Sequence, residues 1–134
     1  MDSGPARSGS TVSILVVEDD HAVAELLREA FHDIEGWAAT VAPDAAAARQ
    51  VFEQVTIDVL LLDVNLPGIS GLELLKLLRR DPNWDNPPVI VLSADPSQPG
   101  IKKAVDQGNV TRFIPKPFDV DDVVDTIRRA LRET

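Results

Sequence analysis

Glu18 and Asp19 follow the apolar run SILVV (Ser13 to Val17), and Asp63 closes VLLL (Val59 to Leu62). Ser93 follows VIVL (Val89 to Leu92), and Lys116 follows RFIP (Arg112 to Pro115). Singly, each has an ordinary explanation: acids after strands cap helices, a serine opens a turn, a lysine faces water. Together they repeat one arrangement, a buried strand that delivers a polar side chain at its carboxyl end. If the strands form one parallel sheet, these ends share the edge on which open α/β sheets carry their sites. With the first and third strands adjacent, Glu18, Asp19 and Asp63 would crowd together. Repulsion would then force protons onto some of them unless a cation intervened. Lys116 supplies one positive charge against three acids. A divalent, oxygen-seeking ion supplies the rest, and an open set of oxygen ligands favours Mg2+ with retained waters and room for a phosphate oxygen. A carboxylate nucleophile, such an ion, an ammonium and a hydroxyl are the components of phosphoryl transfer.

The elements that must position these groups are legible in the apolar pattern. SILVV is a short buried strand, and the stripe Val23, Leu26, Leu27, Ala30, Phe31 and Ile34 after it has the spacing of one helical face, stopped by Gly36. Trp37 to Val41 is a weaker second strand. Pro43 and Asp44 open a helix that buries Ala48, Val51, Phe52 and Val55. After Asp63 the turn formers Asn65, Pro67 and Gly68 lead to Ser70 and Glu73, whose spacing is that of a capping box. The helix so opened carries Leu72, Leu75 and Leu78, with Leu74 and Leu77 widening the stripe. Asp81 to Pro88 (DPNWDNPP) is a loop, within which Trp84 is expected to cover the core. Pro96, Pro99 and Gly100 delay the fourth helix, predicted from about Ile101 to Gln107 and stopped by Gly108. Asp119 caps the fifth, which buries Val120, Val123, Val124, Ile127 and Leu131 and ends among Arg128, Arg129 and Arg132. Five strands alternating with five helices predict an α/β fold, a single doubly wound (βα)5 domain over residues 12–134, with helices on both faces of a parallel sheet. Residues 1–11, small, polar and without periodicity, are expected to be a flexible leader or a cloning remnant.

Composition removes several classes of function. The chain has 134 residues, enough for one domain with its own core. Thirteen basic residues against 22 acidic, a net charge of −9, argue against direct nucleic-acid binding. There is no cysteine, so disulfides and thiolate chemistry are excluded, and no histidine pair suggests zinc. No apolar run reaches membrane-spanning length, and the expectation is a cytoplasmic protein. No glycine-rich loop follows the first strand; Glu18 to Asp20 would repel a nucleotide phosphate. The phosphoryl group is therefore expected to arrive on another protein or a small donor. His21 reads as a first-turn helix residue, and His32 has no visible partner.

Four motifs in this order, VVEDD (Val16 to Asp20), LLLDVNLPGISG (Leu60 to Gly71), PVIVLSA (Pro88 to Ala94) and KPF (Lys116 to Phe118), resemble the CheY-like receiver domain of two-component response regulators. The resemblance covers about residues 12–132, and it implies a five-stranded sheet of order 2-1-3-4-5, an order for which a receiver protein is itself a standard example. It implies that Asp63 accepts phosphate from a histidine kinase or histidine phosphotransfer protein. Asp19 would ligate Mg2+ directly, Glu18 through water and Asn65 by its carbonyl, with Asp63 also at the metal. Ser93 and Lys116 would bind the phosphoryl oxygens, Ala94 would leave the phosphorylated site open to water, and the Lys116–Pro117 bond would be cis. Phe113 matches an aromatic switch position, although it also reads as an edge-strand packing residue. Phosphorylation would shift the domain between conformations that bind a downstream effector, and a homodimer would use the fourth helix, fifth strand and fifth helix. Such a domain is a phosphoacceptor rather than a turnover enzyme.

Three rival readings remain at this level: a non-phosphorylated pseudo-receiver acting as a binding module, a haloacid-dehalogenase-type phosphatase, and a flavin-binding protein of similar topology. The complete acid, serine and lysine set argues against the first. Asn65 stands where the phosphatase needs a second aspartate, and Glu18 to Asp20 would oppose the flavin phosphate. Two departures from the receiver pattern, Pro99-Gly100 and the stretch Gly108 to Phe113 (one residue longer than the common spacing), fall beside the surface through which receivers signal.

Overall fold

The computed structural model describes residues 11–133 apart from Pro96, Gln98 and Asn109. Its elements alternate strictly: β1 (Val12–Val17), α1 (His21–His32), β2 (Trp37–Ala42), α2 (Ala45–Gln54), β3 (Val59–Asp63), α3 (Gly71–Arg79), β4 (Val89–Ser93), α4 (Pro99–Asp106), β5 (Arg112–Pro115) and α5 (Val120–Arg132). All strand pairs are parallel, and the sheet runs β2-β1-β3-β4-β5. The chain therefore starts near the middle of the sheet, winds outward to β2, then crosses back over β1. The reversal falls between β1 and β3, where Val17 lies beside Leu62.

Because side chains alternate across a strand, each central strand feeds two cores. Leu15, Val17, Leu60, Leu62, Val89 and Val91 pack with α2, α3 and α4 on one face. Ile14, Val16, Val59, Leu61, Ile90 and Leu92 pack with α1 and α5 on the other. The two halves explain why these strands read as continuous apolar runs rather than alternating ones. Trp84 closes the first core, stacked on Phe52 with ring centroids 5.6 Å apart.

Four helices start on a side-chain cap. Asp20 accepts from the Val23 amide (3.2 Å) and Asp44 from that of Ala47 (2.9 Å). Ser70 and Glu73 complete the predicted capping box, each bond 3.1 Å. Asp119 accepts from Asp121 (3.0 Å). Such caps satisfy amides that have no intrahelical acceptor.

The helical stripes are narrower than the sequence pattern predicts. Leu26 on α1, Leu77 on α3 and Val55 at the end of α2 are 52%, 41% and 43% exposed. In α1 the buried line is Ala24, Leu27 and Phe31, the i, i+3, i+7 positions, which turns Leu26 about 100° off the core direction. α4 starts at Pro99, two residues before the predicted position. A proline in the first turn has no amide to lose, so it opens the helix rather than delaying it. α4 is nonetheless the shortest helix, eight residues, and Gly108 leaves it with a φ of 75°. After it Val110 enters the core and Thr111 stitches β5 to β4, its Oγ1 accepting the Val89 amide at 3.1 Å.

Candidate functional site

The ends of β1, β3, β4 and β5 deliver the predicted groups to one edge. Glu18, Asp63 and Ser93 are 1%, 2% and 0% exposed, the buried polar side chains of a sheet otherwise filled with aliphatics. They are buried because each directly follows or ends a strand that has no solvent face. Carboxylate oxygens of Glu18, Asp19 and Asp63 lie within 4.8 Å of one another, with Asp19 facing solvent. Lys116 reaches across from β5: its Nζ donates to Glu18 Oε1 (3.0 Å) and to Asp63 Oδ2 (3.1 Å). The Lys116–Pro117 bond that precedes this turn is cis, as expected.

The remaining oxygens are held by backbone. The Asn65 amide donates to Asp63 Oδ1 (3.1 Å), and the Asp20 amide donates to Glu18 Oε2 (3.2 Å). The Asp95 amide donates to Ser93 Oγ (3.1 Å), which leaves the hydroxyl proton available to another acceptor. Burial, then the hydrogen-bonded Asp63 carboxyl, push Glu18 from its ordinary 4.5 up to about 7, against the opposing pull of Lys116. Burial alone would lower Lys116, but the two carboxylates outweigh it and hold the ammonium above its ordinary value. One lysine is thus shared by two buried acids with a third beside them, so the carboxylates outnumber the cations.

Two predicted residues lie outside this centre. Phe113 is 41% exposed on β5 and does not pack into the site. Ala94 is exposed after β4. His21 is the first residue of α1, as read, and His32 Nε2 lies 3.4 Å from the Ala39 carbonyl.

Sequence reasoning missed Gly71. A Cβ built there would collide with the carbonyl oxygen of Asp63, and the Gly71 amide donates to Val64 O at 2.7 Å. The start of α3 approaches the backbone at the end of β3 so closely that only glycine fits there. A glycine just inside a capped helix, where it is a poor helix former, was the available signal. The part played by Asp95 has no side-chain signature, since its amide does the work.

Comparison with known proteins agrees with this geometry. Residues 14–128 match the family description "Response regulator receiver domain". The chain is 35% identical over 124 residues to the response regulator MprA of Mycobacterium ulcerans, covering 92% of this chain and 52% of that protein. It is 33% identical over 126 residues to the transcriptional regulatory protein TrcR of Mycobacterium tuberculosis, covering 94% of this chain and 48% of the relative. The chain thus spans about half the length of these curated relatives. Among solved structures, the receiver domain of the Francisella response regulator 1452 superposes with a TM-score of 0.78 at 28% identity, covering 91% of this chain and 98% of that one. The fold is also that of the chemotaxis response regulator CheY4 of Vibrio cholerae, with a TM-score of 0.80 at 24% identity over 91% of this chain and all of that one. With residues 14–128 matched to the family, and three acids and a lysine gathered at the reversal of strand order, the chain belongs to the response regulator receiver domains of two-component systems.

Proposed function

We propose that Asp63 is the phosphoacceptor of a Mg2+-dependent signalling switch. The observation that carries this reading is the buried Asp63 carboxylate held at both oxygens, by Lys116 at 3.1 Å and by the Asn65 amide at 3.1 Å, beside two further acids. The donor set fits a hard divalent cation: carboxylate oxygens without sulfur or imidazole, and more negative charge than Lys116 can offset. Glu18, Asp19 and Asp63 would hold it by side chain and Asn65 by its carbonyl. When bound, the ion supplies charge neutralisation for the carboxylates and for an incoming phosphoryl group.

The protein's own groups divide the rest of the work. An Asp63 oxygen forms the new bond to phosphorus as the bond from phosphorus to the donor's histidine nitrogen breaks, and the imidazole leaves. Lys116, already oriented by Asp63, neutralises phosphoryl oxygens, and the Ser93 hydroxyl donates to one of them. The donor is a histidine kinase or histidine phosphotransfer protein, and the recipient of the signal is a downstream effector protein or domain. Self-association through α4, β5 and α5 belongs to the same reading, supported by the exposed Phe113 on β5. The domain promotes its own phosphorylation and hydrolysis without being a turnover enzyme. The net charge of −9 supports a role without direct nucleic-acid contact. No helix among the described residues is long and apolar enough to cross a membrane, which suits the proposed cytoplasmic setting.

The test is intact mass after incubation with acetyl phosphate, with and without Mg2+, for the native chain and Asp63→Asn. A phosphoryl adduct that needs Mg2+ and is absent from the variant is expected. An unmodified native chain, with acetyl phosphate and with a panel of phosphorylated kinases alike, would replace this reading with a pseudo-receiver.

A further inference from the structure

The groove between α3 and α4 stands apart from the phosphoryl chemistry. It is a cleft of about 230 Å3 whose lining includes the apolar Leu72, Leu75 and Ala104 and the cationic Lys76, Arg79 and Lys103. Its shape follows from the Pro99-Gly100 pair that departs from the receiver pattern. A Cβ on Gly100 would meet Leu72 Cδ1 at 3.0 Å, so glycine lets α4 lie close to α3, with Leu72 only partly covered between them. At the other end Arg79 is steadied with its guanidinium carbon 5.8 Å from the centre of the Trp84 ring.

The charge of this groove is opposite to that of the protein. The chain carries −9 overall, yet three cations and no acid line the cleft. Lys76 and Lys103 are exposed and are in no ion pair with another described residue. The cleft is smaller than the roughly 300–1,000 Å3 that whole small-molecule ligands need. It has the size for one apolar side chain. We propose that the α3–α4 groove docks a short acidic segment of a partner protein. One apolar side chain of that segment enters against Leu72, Leu75 and Ala104, and its carboxylates meet Lys76, Arg79 and Lys103. Charge complementarity would give such a contact its specificity and its rate.

The experiment titrates the 15N-labelled full chain with an eight-residue peptide carrying a central Leu-Phe pair flanked by Asp and Glu. Two variants accompany it, Lys76→Glu/Lys103→Glu and Leu72→Ser, with circular dichroism and acetyl phosphate modification of Asp63 as checks on folding. Saturable shifts confined to α3 and α4 amides are expected. Binding should weaken at least about tenfold in each variant and on raising salt from 50 to 300 mM. Shifts elsewhere, no shifts, or equal binding by a peptide whose Leu-Phe pair is replaced by Ser-Gly would overturn the proposal. Sedimentation showing a native dimer that the charge reversal dissolves, with no peptide binding, would also overturn it and assign the groove to a second copy.

Discussion

The two edges of the sheet treat polar groups in opposite ways. At the amino edge three backbone amides at the strand starts are each closed by a neighbour. The Ser13 amide donates to Asp58 Oδ2 at 2.8 Å, the Val89 amide to Thr111 Oγ1 at 3.1 Å, and the Val12 amide to Gly36 O at 2.6 Å. At the carboxyl edge Glu18 and Asp63 are as buried as the aliphatics around them, yet they share a single lysine with Asp19 beside them. Those amino-edge donors have their acceptors, whereas the carboxyl edge sets three acids against one lysine. Closed polar pairs help hold a fold together, whereas a buried cluster with unmatched charge costs stability.

Removing Lys116 should break the comparison most severely. Lys116→Met leaves Glu18 and Asp63 buried against each other with no cation. Losing one partner of such a cluster costs about 3–5 kcal/mol. Urea denaturation at pH 8 without divalent ions should show most of that loss, and much less at pH 5, where Glu18 is protonated. Millimolar Mg2+ should restore part of it, because a ligand that binds only the folded state stabilises it. A variant as stable as the native chain at pH 8 would mean that the carboxylates were never strained.

Glu18 itself should move in the other direction. Its folded pKa is raised from 4.5 to about 7, so the folded state prefers the protonated carboxyl. That contribution is fully present below about pH 4.5 and is lost as pH rises through about 7. Metal-free stability should therefore fall between those limits, and Glu18→Gln should flatten this stretch of the curve. At pH 8 the variant should be the more stable, by on the order of 2 kcal/mol, while its Mg2+ response weakens. A native curve that rises from pH 5 to pH 8 without metal would contradict the assigned strain.

How much of this contrast the sequence shows differs between the edges. The carboxyl edge was readable because polar side chains stand at the strand ends: Glu18, Asp19, Asp63, Ser93 and Lys116 close apolar runs, and the apolar runs themselves mark the strands. The cap residues Asp44, Ser70 with Glu73, and Asp119 were readable for the same reason. Backbone contributions were not, since the amides of Asn65 and Asp95 carry no side-chain signature, and Gly71 acts through what it lacks. Periodicity overstated the helical stripes at Leu26, Val55 and Leu77, because a 100° step per residue leaves flanking leucines near the boundary. It also placed the start of α4 two residues late, since Pro99 serves as an opening residue. Asp58 passed unnoticed, being one acid in a chain with 22.

Asp58 offers the smallest and sharpest contrast with the carboxyl edge. Its carboxylate accepts the Ser13 amide, tying the start of β1 to the chain entering β3, while its own amide donates to Ser13 O at 2.8 Å. Asp58→Ala removes the acceptor of the Ser13 amide and keeps the backbone bond. Ser13 is half-buried near the rim, so water can replace the lost acceptor, and the expected cost is about 1 kcal/mol. Urea denaturation should show it as a lower midpoint with unchanged slope. The loss should be the same at pH 6 and pH 8 and indifferent to Mg2+, and the rate of Asp63 modification by acetyl phosphate should equal that of the native chain. A Mg2+-dependent loss, or slowed modification, would show that the two edges are coupled through β1 and β3. In that case the closed edge would be part of the switch rather than its support.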